Sequence, residues 1–165
     1  MPFSADSDDP VIAAVSRARA ALSTGQAAIR MTYETRRSSS SMLRARAHLV
    51  DKALDGLWQA FAMPRDTALI AVGGYGRGEL FPCSDVDLMV LLSETASASL
   101  REKLSALIGA LWDIGLDIGY SVRTVDEALE AAADDIPYRP ISSKHGCWPA
   151  APRCTNILSD AFTNN

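Results

Sequence analysis

At 165 residues the chain is long enough for one domain with a real core, and its 48% hydrophobic and 22% charged residues suit a soluble globular protein. No run nears the ~20 apolar residues of a membrane span, the acidic start Met1–Pro10 is unlike a secretory signal, and a net charge of -4 argues against a broad nucleic-acid surface. Cytoplasm is the default compartment, and three cysteines (Cys83, Cys147, Cys154) with no CxxC pair suggest neither a disulfide framework nor a zinc site.

The first predicted element is a helix from Val11 to about Arg30, rich in alanine, with caps available in Ser4–Asp9 and Pro10 at its first position. Tyr33–Ser41 loses apolar periodicity and ends in four serines, which reads as a mobile loop. Helical spacing returns at Leu43, Ala47, Val50, Leu54, Leu57, Trp58 and Phe61, a stripe expected to face the core. Pro64–Asp66 breaks this helix, and Ala68–Val72 is a short apolar strand.

That strand runs into Gly73-Gly74-Tyr75-Gly76-Arg77-Gly78-Glu79-Leu80, then a turn at Phe81–Ser84 and a second strand, Asp85–Leu92. A helix follows over Ser97–Trp112, then a third strand over Leu116–Val122. Thr124 with Glu127 forms a capping box for a last helix reaching Ala133. Strands alternating with helices make an α/β or α+β domain behind a helical N-terminal segment.

The glycine segment fits neither the GxGxxG nor the GxxxxGK[ST] phosphate loop. It reads instead as strand, double glycine, helical turn, and a strand opening on Asp-x-Asp. Gly73 and Gly74 let the backbone approach a phosphate closely, and their N–H groups face an anion at the start of the turn. Arg77 adds a charged fork to phosphate oxygens. In a strand, side chains two apart share a face, so Asp85 and Asp87 point the same way. Their mutual repulsion is relieved by a cation, and Mg²⁺ is held by one or two carboxylates plus substrate phosphates. Asp87 also sits in an otherwise apolar strand, where an unpaired charge is costly.

The run Ala71–Leu88, from Gly-Gly-Tyr-Gly-Arg-Gly-Glu-Leu to Ser-Asp-Val-Asp-Leu, closely resembles the signature of the bacterial PII uridylyltransferases, the bifunctional uridylyltransferase/uridylyl-removing enzymes of nitrogen control. Leu111-Trp112-Asp113, Gly119–Thr124, Arg44-Ala45-Arg46 and Leu49-Val50-Asp51 extend the resemblance over roughly residues 10 to 136. It implies an α+β, polymerase-β-like nucleotidyltransferase core at 64–136, a small mixed sheet with flanking helices, behind a helical segment at 1–63. It further implies transfer of UMP from UTP to a tyrosine of the PII regulator, with release of pyrophosphate. On that resemblance Gly73, Gly74, Arg77 and Ser84 hold the triphosphate, and Asp85 and Asp87 ligate Mg²⁺. Asp117 is the positional candidate for a third catalytic acid. Tyr120 stands where the family usually has His, and Cys83 is expected to be inert packing.

After Ile136 the sequence changes character, with prolines at 137, 140, 149 and 152 and no clear period. The family continues here as an amphipathic helix, and synonymous codons for Ile136–Pro149 read in another frame encode one beginning Thr-Val-Gln-Thr. The expectation is a frameshifted, disordered tail over 137–165, in which His145, Cys147 and Cys154 are not ligands. Two functional expectations follow: a truncated uridylyltransferase of reduced rate, and a non-catalytic remnant that at most binds nucleotide weakly. Neither involves nucleic acid or a membrane.

Overall fold

The computed structural model describes residues 9–132 and 138–140. Helix α1 (Pro10–Arg36) begins as its sequence predicts: Asp9 Oδ1 accepts from the Val11 amide at 2.8 Å, and Pro10 occupies the first turn, where no N–H is needed. It continues past Arg30 and stops where Arg37 takes a left-handed φ of 54° and returns its amide to the Tyr33 carbonyl. Helix α2 (Ser39–Ala60) starts inside the serine run, which corrects the mobile loop expected there. Serine is poor in a helix interior, but the first turn has amides without intrahelical partners and accepts it readily.

Strand β1 (Thr67–Val72) leads into a single helical turn, α3 (Gly73–Gly76). Strand β2 (Val86–Leu92), helix α4 (Ala98–Asp113), strand β3 (Ile118–Thr124) and helix α5 (Val125–Ala132) follow. Ser97 caps α4 through the Leu100 amide. The Thr124–Glu127 capping box forms in both directions: the Thr124 amide donates to Glu127 Oε2 at 2.7 Å, and the Glu127 amide to Thr124 Oγ1 at 3.3 Å.

The sheet order is β3-β2-β1-β4, where β4 is Tyr138–Pro140. β1 and β2 are antiparallel, with Ile70 opposite Met89, while β2 and β3 are parallel, with Asp87 opposite Gly119. β4 runs antiparallel along the other edge of β1, with Val72 opposite Tyr138. Three residues of the segment read as a foreign tail thus extend the sheet, and 141–165 lie outside the described residues. The domain is α+β with a small mixed sheet, as expected.

Strand alternation gives the sheet two unlike faces. Leu69, Ala71, Val86, Leu88, Val90 and Leu92 pack under α1, α2 and α4, meeting Leu22, Leu54, Leu57, Leu107 and Leu111 in the main core. Trp58 and Phe61 are partly buried against that core, as their spacing predicts. On the opposite face, Ala68, Ile70, Met89 and Leu91 form a smaller cluster with Val125 and Ala128 of α5. Asp87 belongs by alternation to this second face. No helix among the described residues is long and apolar enough to cross a membrane.

Candidate functional site

β1 ends at Val72 and the chain turns at once. Gly73 has φ 60°, a left-handed conformation that glycine adopts without strain. The turn is closed by the Arg77 amide on the Gly73 carbonyl, the Gly78 amide on that of Tyr75, and the Glu79 amide on that of Gly74. It is also tethered from below. Tyr75 is buried, and its hydroxyl donates to Asp51 Oδ1 of α2 at 2.6 Å. The tyrosine of the glycine signature therefore fastens the turn to the helical segment, a role that spacing alone did not reveal.

The chain returns to the sheet through Phe81–Ser84. Ser84 gives both its amide and its hydroxyl to the Phe81 carbonyl, the hydroxyl at 2.9 Å, leaving the hydroxyl oxygen's lone pairs as acceptors. Cys83, expected as packing, is instead exposed and holds a left-handed φ of 65° within this turn. Asp85 lies just before β2, exposed, and Asp87 is its second residue, half-buried.

Gly74, Tyr75, Arg77, Glu79, Phe81, Ser84, Asp85 and Asp87 together line one cavity of about 300 Å³. Five of the predicted residues (Gly74, Arg77, Ser84, Asp85 and Asp87) thus share a single wall. Gly73 adjoins it from behind: a Cβ built there would lie 2.9 Å from Asp87 Oδ2. Arg77 is partly committed, since its Nε donates to Glu79 Oε2 at 3.0 Å, although both side chains remain half-exposed.

Asp117 does not line this cavity. It is exposed ahead of β3, and its backbone carbonyl accepts from the Val86 amide at 2.8 Å. No group of three His, Cys, Asp or Glu side chains among the described residues gathers closely enough to hold a metal. Tyr120, opposite Leu88, belongs to the helix-covered face and lines a separate cavity with Trp112 and Val122. It is therefore not a neighbour of the carboxylates. Glu79 and Phe81 were not singled out from the sequence. Their place in the glycine-to-aspartate connection was the available signal.

The two carboxylates, with the Ser84 hydroxyl beside them, form an all-oxygen donor set that suits a hard divalent ion, and Mg²⁺ needs only one or two protein carboxylates when phosphates complete its shell. The residues present therefore fit magnesium.

The nucleotidyltransferase domain family matches residues 50–138. A bifunctional uridylyltransferase/uridylyl-removing enzyme of Aromatoleum aromaticum is 60% identical over 129 residues, which is 78% of this chain and 15% of that protein. Enzymes of the same name from Chromobacterium violaceum and Nitrosospira multiformis are 50% identical over 104 residues and 47% over 124 residues. Those matches cover 63% and 72% of this chain. The chain spans only 12 to 15% of the length of these three relatives. No solved structure matches it significantly.

Proposed function

The chain belongs to the nucleotidyltransferase domain family, and from that premise we propose that it transfers UMP from UTP to a tyrosine hydroxyl of the PII regulatory protein. The observation carrying this reading is the single cavity that gathers Asp85 and Asp87 with Gly74, Arg77 and Ser84. In the reaction the tyrosine oxygen bonds to the α-phosphorus, the bond to pyrophosphate breaks, and one proton is released. Gly73 and Gly74 bring the backbone against the triphosphate, and Arg77 offers its remaining N–H groups to phosphate oxygens. Asp85 and Asp87 hold Mg²⁺. When bound, the ion supplies positive charge against the triphosphate and the departing pyrophosphate. The uridylyl group rests on the family signature in Ala71–Leu88 and on the names of the relatives, and the PII acceptor on the signature alone.

Purified chain with UTP, Mg²⁺ and PII is expected to yield uridylylated PII, read by intact mass. Asp85→Ala and Asp87→Ala are each expected to lower the rate by roughly 10³-fold, the scale of a lost metal charge. Equal use of ATP would reject the uridylyl assignment.

A second reading, nucleotide binding without transfer, is favoured by the position of Asp117 outside the cavity. It predicts UTP binding by calorimetry with no modified PII at any enzyme concentration.

A further inference from the structure

Asp87 is hemmed in on two sides by glycines from different elements. The Gly73 position approaches Asp87 Oδ2, and a Cβ built at Gly119 would lie 2.8 Å from Asp87 Oδ1. Both separations are shorter than carbon and oxygen approach without a bond, so a side chain at either position would displace the carboxylate. For Gly73 there is a separate reason for glycine, its left-handed φ. Gly119 has none: it lies within β3, its φ is not left-handed, and it pairs in register with Asp87. Glycine inside a strand weakens the strand and marks a place where something approaches closely. What approaches here is a carboxylate oxygen that also lines the cavity.

We propose that Gly119 is a positioning residue for nucleotidyl transfer: its missing side chain opens the slot that sets the orientation of the Asp87 carboxylate toward the cavity. This rests on the reading of Asp87 as a metal ligand. With alanine at 119, Asp87 Oδ1 can no longer occupy its present position and the carboxylate must rotate out of it. Because the displaced group is a side-chain end, the strand itself survives the change and the metal site does not.

Thermal melts of wild type, Gly119→Ala, Asp87→Ala and the double variant, without metal or nucleotide, test the steric claim. Gly119→Ala is expected to lower the melting temperature in the wild-type background and to leave it unchanged or raise it in the Asp87→Ala background, where alanine strengthens the strand without meeting the carboxylate. An equal drop in both backgrounds overturns the proposal, because the alanine would then be striking the strand rather than the carboxylate. Mn²⁺ binding, followed by electron paramagnetic resonance on the folded proteins with UTP present, tests the consequence. Gly119→Ala is expected to bind at least tenfold more weakly than wild type, and unchanged binding overturns the proposal. Wild type that binds no Mn²⁺ overturns both the metal-ligand reading and this one. Wild type that binds while Gly119→Ala binds equally removes only the role of Gly119.

Discussion

At the scale of single residues, glycines that look alike in sequence have different work. Gly73 and Gly78 both have left-handed φ, 60° and 75°, so alanine at either position is strained by about 1–2 kcal/mol. The surroundings separate them, because a Cβ at Gly78 meets nothing within 4 Å while one at Gly73 meets Asp87. Gly78→Ala is therefore expected to lower the melting temperature and leave UTP affinity intact, whereas Gly73→Ala lowers both. Melts paired with calorimetric titration of Mg·UTP check this, and equal UTP affinity in the two variants would contradict the close approach at Gly73. The sequence grouped Asp85 with Asp87 through strand alternation; both line the cavity, although β2 begins only at Val86. It could not make Gly119 legible in the same way. Its closeness to Asp87 depends on the parallel register of β2 and β3, which is set after a helical crossover. Asp117, the positional candidate for a third acid, precedes β3 beside the start of β2 and is not among the residues lining the cavity.

At the scale of elements, the helical turn α3 is held by something longer in range than its own hydrogen bonds. The Tyr75 hydroxyl reaches Asp51 across 24 residues of chain, from the middle of the glycine signature to the face of α2. Tyr75→Phe keeps the packing of a buried ring and removes a hydrogen bond to a charged partner, a loss of about 1.5–3 kcal/mol. Urea unfolding should show a lower midpoint with an unchanged slope, while an unchanged midpoint would mean that the bond contributes nothing net. This contact joins the helical segment, read from the sequence as residues 1–63, to the glycine turn of the core that follows it. Amphipathic spacing located α2 and α4 and the side each buries, because apolar periodicity is a property of the segment itself. It misplaced the start of α2, where four serines resemble a loop in composition but stand at the N-cap and in the first turn, where serine is better tolerated than in a helix interior.

At the scale of the whole molecule, the sheet divides stability from chemistry. The face under α1, α2 and α4 carries the large core, and Asp87 extends from the face that packs α5, at the strand end nearest the glycine turn. Leu111 of α4 is fully buried in the large core, so Leu111→Ala should lose about 2–5 kcal/mol from the removed side chain and the cavity it leaves. It touches no part of the carboxylate cavity. Below its melting temperature, the Leu111→Ala protein is therefore expected to bind Mg·UTP with wild-type affinity, while Asp87→Ala loses that affinity and keeps the core. Separate sites give additive effects, so the double variant should combine the stability of the first with the affinity of the second. A fall in Mg·UTP affinity for Leu111→Ala while it remains folded would show that core packing reaches through the sheet to the carboxylates. The two faces could not then be treated as independent.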